Sequence, residues 1–247
     1  PHLDEPEKIA RLDHLARALG VSKTESRDAE PGLAPIVAPA EALAASLSET
    51  GLSAVHGEEL LTAFRRDAAQ NRYGDWGALM DYCRHSAVPC ARYLLALHDE
   101  EDEGARVAAD ALATALQVIN HIQDCRTDYL RLDRVYIPLD WMEAEGTCIN
   151  DLSRAQATPA LRRVLNRMLD GVDWLLVMAN PLPSRTANLR LSLEAAVTLE
   201  IARRLSVQLR REDPLAGRVS LGRWAVLAAC TRGVFGGLKA RFRPLAS

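Results

Sequence analysis

The chain has 247 residues, 48% of them hydrophobic, and a formal net charge of −3 at pH 7. That length supports a sizeable core in one domain, and the near-neutral balance excludes a nucleic-acid binder, which needs a strongly basic face. The five cysteines, Cys83, Cys90, Cys125, Cys148 and Cys230, include no C-x-x-C pair and read as free thiols, so a reducing, cytoplasmic setting is expected.

Leu, Ala, Arg and Glu dominate, β-branched alternation is scarce, and apolar residues recur at spacings of three and four, so the expected fold class is all-α. The opening PHLDEPEKIARLDHLARAL has no basic n-region, apolar h-region or small-residue cleavage site. It predicts no secretory signal, and no stretch of about 18 apolar residues predicts a spanning helix. Periodicity predicts helices over 5–19, 39–50, 56–72, 75–98, 101–132, 158–179, 184–211 and 219–240. Ser22 to Pro39 carries three prolines and reads as a connector. Pro138 is expected to end the fifth helix, and Pro181, Pro183 and Asp213-Pro214 mark later links. No internal repeat is present, which excludes a solenoid.

The stretch FRRDAAQNRYGDWGALMDYCRHSAVPCARYLLAL offers Asp67, Arg72, Tyr73, Tyr82, Arg84 and His85 among apolar residues. Taken alone, Tyr82 reads either as a core residue with its hydroxyl satisfied locally or as an inward-facing polar group. His85 reads as structural.

The next helix carries the chemistry. In ALATALQVINHIQDCRTDYL, Gln117, Asn120, Asp124 and Asp128 follow at steps of three, four and four and share one face of an otherwise apolar helix. Two carboxylates and two amides against hydrocarbon cost several kcal/mol, so the face must meet a polar cavity, a metal or cationic partners. Two aspartates one turn apart suit Mg²⁺, which is held by one or two carboxylates while phosphate and water complete its shell. The competing reading is a salt-bridged face, with Asp124 and Asp128 paired to Arg126, Arg131 or Arg134. Downstream, LDRVYIP sets Arg134 and Tyr136 at the helix exit, where an arginine either clamps a phosphate or caps the last carbonyls. Leu116, Ile119, Val88 and Leu94 read as walls for an apolar ligand and equally as packed core. The tail GGLKARFRPLAS mixes Lys239, Arg241 and Arg243 with Leu238, Phe242 and Leu245, a composition suited to an anionic membrane surface and equally to a frayed terminus.

Three blocks, DYCRHSAVP, ALQVINHIQDCRTDY and LDRVYIP, occur in this order and at distances that resemble the squalene/phytoene synthase family, with the similarity running from about residue 5 to residue 240. The resemblance implies one isoprenoid (prenyl) synthase domain over residues 1–247, all-α, with a central cavity. In the family two aspartate-rich motifs bind diphosphate through Mg²⁺, and the second matches Asp124 and Asp128. Tyr82 matches the family's catalytic tyrosine, and Gln117, Asn120, Arg134, Tyr136, Arg72 and Tyr73 are assigned to the substrate. The first aspartate-rich motif is expected on a helix preceding ARLDHLARAL, where the sequence has only Asp4, Glu5 and Glu7, so a preceding segment is expected.

Gln123 stands where phytoene and squalene synthases usually carry arginine. With NRYGDW, DYCRHSA and NHIQDC it resembles the branch that forms hydroxysqualene for hopanoids. That branch implies conversion of presqualene diphosphate to hydroxysqualene, and the absence of a G-x-G-x-x-G fingerprint agrees with a water quench. The alternatives are a squalene, dehydrosqualene or phytoene synthase condensing two prenyl diphosphates such as farnesyl diphosphate, or an inactive helical relative. A prenyl diphosphate substrate, peripheral contact with the inner membrane and other enzymes of the squalene pathway are the expected partners.

Overall fold

The computed structural model describes residues 3–21, 32–100 and 102–241, which divide into two compact units, residues 1–70 and 71–247. Among the described residues every regular element is a helix, and one isolated bridge pairs Arg72 with Val135.

The first unit holds α1 (Glu5–Ala18), α2 (Ala34–Thr50) and α3 (Val55–Ala69). Asp4 caps α1 by accepting the Glu7 N–H at 2.9 Å, beside a proline in the first turn. The α1–α3 contact needs Gly57, because a Cβ there would lie 2.4 Å from the Leu19 side chain. An ion pair at 2.8 Å joins Arg65 to Asp13 across the same contact. α2 begins five residues before its expected start and contains Pro39. The N–H that Pro39 lacks would have served the Pro35 carbonyl in the first turns, where the loss is tolerated. Gly51, at φ 70°, closes α2 in the left-handed conformation that glycine adopts freely.

The second unit comprises α4 (Trp76–Ser86), α5 (Val88–Leu97), α6 (Glu103–Gln123), α7 (Cys125–Leu132), α8 (Leu139–Ala144), α9 (Pro159–Ala179), α10 (Leu182–Arg185), α11 (Leu189–Arg211) and α12 (Arg223–Arg241). At its centre α6 packs against α9, α5, α11, α4 and α10. Such surroundings require a helix that is apolar nearly all round, and α6 buries Ala108, Leu112, Ala115, Val118, Ile119 and Ile122. α9 meets it with Leu161, Val164, Leu165, Met168, Leu169 and Val172, all inaccessible to solvent. Each large side chain so buried contributes on the order of 1.5–3 kcal/mol before entropy is counted.

The continuous helix expected over 75–98 is two helices. Pro89 has no N–H for the His85 carbonyl, so the chain breaks at Ala87 and restarts with Pro89 in the first turn of α5. The helix expected over 101–132 likewise turns at Asp124, between α6 and α7. Three contacts tie the unit's segments together. Arg92 grips Asp110 with two bonds, 3.0 and 2.6 Å, between α5 and α6. Buried Glu100 accepts the backbone N–H groups of Ala187 and Asn188 at the N-terminus of α11, a favourable end for a carboxylate. Trp76 stacks on Trp141 at 5.2 Å, with the Arg167 guanidinium 4.0 Å from the Trp141 ring centre.

α12 lies close against α11 through Gly233, where a Cβ would stand 2.5 Å from Val197 Cα and 2.8 Å from its backbone nitrogen. A backbone neighbour cannot rotate away. Gly233→Ala is therefore expected to push the helices apart and lower stability by about 1–3 kcal/mol. Chemical denaturation of wild type and variant checks this, and an unchanged midpoint would show that the α11–α12 contact yields without cost.

Candidate active site

The predicted stripe is retained through the bend. Asp124 (φ −103°, ψ 6°) stands between the helices, yet its N–H still bonds the Asn120 carbonyl at 2.9 Å, and its own carbonyl accepts the Asp128 N–H at 2.8 Å. Both steps of four therefore survive, and Asn120, Asp124 and Asp128 remain in line. Gln117 and Asn120 enter a cavity of about 440 Å³ walled by Leu94, Leu95, Leu112, Leu116, Leu191 and Ala195. That volume is ordinary for a small-molecule site, and its lining is predominantly apolar. Of the four expected walls, Leu116 and Leu94 line it. Ile119 and Val88 face the packed core instead, at 1% and 4% exposure.

Three tyrosines from three segments gather beside α6, against His121. Tyr82 on α4, Tyr73 just before that helix and Tyr136 after α7 stand with ring centres 5.2 to 5.5 Å apart, and all three are buried. His121 completes the group, stacked on Tyr136 at 3.7 Å. The backbone dictates this meeting. Val135 N–H bonds the Asn71 carbonyl at 2.9 Å, Leu139 N–H the Tyr73 carbonyl at 3.1 Å, and Asp140 N–H the Gly74 carbonyl at 3.0 Å. Arg72 closes the clasp, donating to both the carbonyl and the carboxylate of Asp133. Asp133 turns the chain out of α7 at φ 52°, a left-handed conformation that aspartate tolerates better than most residues. The structure thus gives Arg72 a structural partner, and brings Tyr73, Tyr82 and Tyr136 into one group.

The electrostatics are uneven along the stripe. Burial, and then the neighbouring Asp124 charge, lift the Asp128 carboxyl to about 6, while the Arg134 charge pulls the other way. Arg134 Nη1 also lies 3.5 Å from the Tyr136 hydroxyl. Asp124 has an ion contact with Arg218 at 3.9 Å, a long pair with a largely exposed arginine that adds little stability. Arg126, an expected partner of the aspartates, turns to the Leu215 carbonyl at 3.5 Å. His121 is driven down to about 3 by burial, so it is neutral at pH 7, and its Nε2 has no hydrogen-bond partner. Cys83 and Cys125 are pushed up to about 12 by burial and are inert thiols. Among the described residues no group of three or more His, Cys, Asp or Glu is arranged to hold a metal ion, so the stripe offers two carboxylates.

Several residues at the site escaped the sequence reading. His121 sits four residues after Gln117, but a lone histidine on an apolar helix gave no separate signal. Glu194 and Thr198 reach the cavity from α11, and Arg218 approaches Asp124 from the segment before α12. No local pattern connects these positions with α6. Gln123, noted only as a departure from a family pattern, is buried and donates to the Val219 carbonyl at 2.6 Å, tying α6 to that same segment.

The squalene/phytoene synthase family model matches residues 2–225. Hydroxysqualene synthase of Zymomonas mobilis is 45% identical over 165 residues, which cover 67% of this chain and 55% of that protein. Hydroxysqualene synthase of Rhodopseudomonas palustris is 37% identical over 220 residues, covering 89% of this chain and 71% of its own length. In fold, the chain is similar to a dehydrosqualene synthase crystallised in complex with ligand (TM-score 0.71, 17% identity, 96% of this chain and 88% of that one). It is also similar to squalene synthase HpnC from Alicyclobacillus acidocaldarius (TM-score 0.65, 24% identity, 84% and 83% covered). With an all-α fold, a polar stripe entering an apolar cavity and a family match over most of its length, the chain belongs to the squalene/phytoene synthase family.

Proposed function

We propose that the protein is a hydroxysqualene synthase that converts presqualene diphosphate to hydroxysqualene. The observation that carries this reading is the continuity of the stripe. Gln117 and Asn120 stand inside an apolar cavity fit for an isoprenoid chain, and the same face continues to a carboxylate pair fit for a diphosphate–metal complex. The relatives named hydroxysqualene synthase support the choice of product within the family.

The residues fit Mg²⁺ by two tests. Their donors are carboxylate oxygens, and Asp128 is held near 6 by burial and by its neighbour's charge, a repulsion that a divalent cation relieves. Asp124 and Asp128 would hold the ion, with diphosphate and water as the other ligands. When bound, it supplies positive charge against the departing diphosphate. Arg134 and Arg218 add cationic charge from the protein. The C–O bond of presqualene diphosphate breaks with its electron pair leaving on diphosphate, and the carbocation rearranges between apolar walls. Tyr82, which matches the family's catalytic tyrosine and stands in the buried group with Tyr73 and Tyr136, is assigned to handling the cation or a proton beside the departing diphosphate. Water then adds its oxygen and loses a proton, so the reaction consumes no reductant.

Three outcomes are expected of the full-length protein. Presented separately with presqualene diphosphate and farnesyl diphosphate, it yields hydroxysqualene from the former in a Mg²⁺-dependent reaction. Phytoene or dehydrosqualene as the main product would replace this assignment. Asp124→Asn and Asp128→Asn each lower turnover by about 100-fold or more, and Tyr82→Phe by about tenfold with an unchanged melting temperature. Near-normal rates would remove the role from the residue concerned.

Asp128→Asn also has a stability signature. A carboxyl raised in the folded state from the ordinary value of about 4 costs stability wherever it is ionised, and the cost fades as pH falls through about 6 towards 4. In EDTA the variant is therefore expected to melt above wild type at pH 8, by about 1–4 °C, with the difference vanishing near pH 4. A variant that melts lower at pH 8 would mean that Asp128 is stabilised by partners rather than strained by its neighbour.

A further inference from the structure

All 33 Asp and Glu of the chain lie at or before Asp213, whereas Arg218, Arg223, Arg232, Lys239, Arg241 and Arg243 follow it. The C-terminal segment is thus wholly basic in a chain of negative net charge. α12 forms its core, and its two faces differ. Ala229, Gly233 and Gly237, at steps of four, are buried, the two glycines close against α11. On the opposite face Trp224, Thr231 and Phe235 fall in line at steps of seven and four, with Leu227 alongside. Trp224 is 81% exposed, Phe235 69% and Leu227 56%. Two bulky aromatics on one outward stripe are not scattered surface residues. Arg223 borders the stripe on one side, and Arg232 and Lys239 border it on the other, all three exposed.

An apolar stripe with aromatic anchors, edged by cations on both sides, has the layout of a helix lying in a bilayer interface. Its aromatics enter the headgroup boundary while long basic side chains reach anionic headgroups. No acidic residue stands between Asp213 and Ser247, so α12 itself carries no charge that such a surface would repel. Among the described residues no helix is long and apolar enough to cross a membrane, so the contact is peripheral. We propose that the outward face of α12, through Trp224, Leu227 and Phe235 with Arg223, Arg232 and Lys239, docks the protein on an anionic lipid surface. This goes beyond the catalytic reading and rests on α12 alone. Of the tail GGLKARFRPLAS, whose composition suits the same surface, residues 236–241 belong to α12 and residues 242–247 lie outside the described residues.

The test is flotation of the full chain with phosphatidylcholine vesicles, with and without phosphatidylglycerol. Wild type is expected to float with the phosphatidylglycerol vesicles, less so as salt is raised, and its tryptophan emission to shift to the blue. Trp224→Ser/Phe235→Ser and Arg232→Glu/Lys239→Glu should each weaken binding by about tenfold or more with helical circular dichroism unchanged. The blue shift should be lost in the first. Wild type that stays in the bottom fraction with both lipids overturns the proposal, and so does undiminished flotation of both folded variants. A concentration-dependent dimer that the first variant abolishes, without lipid binding, assigns the face to a second copy and also overturns it. Turnover of presqualene diphosphate in detergent separates the two proposals, because the α12 variants should retain it. A wild type that floats but makes no hydroxysqualene refutes the catalytic reading and leaves the docking intact.

Discussion

The constraint on which this structure depends is that one helix must be both core and polar surface. α6 is surrounded by α4, α5, α9, α10 and α11, and hydrocarbon is the only inexpensive covering for most of its surface. A polar stripe on such a helix survives only where the neighbours leave space. The space is the cavity behind Leu94, Leu112, Leu116 and Leu191, and polar ties hold the helices that border it. Arg92 on Asp110 sets α5, and Glu100 on the first amides of α11 sets the far wall.

The tyrosine group depends on a different device, the short clasp between residues 71–74 and 133–140. Residues 71–74 and 133–138 are not helical, and Leu139 and Asp140 open α8, where N–H groups have no partner within the helix, so the two segments pair with each other. That pairing helps to gather three separate tyrosines into a single aromatic group against His121 of α6. Asp133 makes the clasp possible by turning the chain sharply at the end of α7.

Much of this was legible in the sequence where the signal is periodic. The helices and the face shared by Gln117, Asn120, Asp124 and Asp128 follow from spacing that side-chain geometry enforces locally, while the family blocks were legible only as a resemblance. Legibility failed where distance in the chain separates the partners. His121, Glu194, Thr198 and Arg218 carry no pattern that points to α6, and the pairing of Arg72 with Asp133 is invisible without the fold. Val88 and Ile119 show the complementary failure, since an apolar residue near a cavity and one turned to the core look alike in sequence. Pro89 and Pro39 illustrate how position decides proline's effect. The first breaks a helix in its interior, and the second is accommodated near a helix start.

The clasp also bears on how genetic variation at this locus should be interpreted. Arg72 looks from its chemistry like a phosphate ligand, and its loss would mimic that role by abolishing activity. Its guanidinium, however, fastens the segment that carries Tyr73 to the turn that leads to Tyr136. A lesion at position 72 therefore propagates to two rings at once. A second-site change that re-fastened the strap would restore their placement, so a suppressor at position 133 would separate this role from that of a ligand.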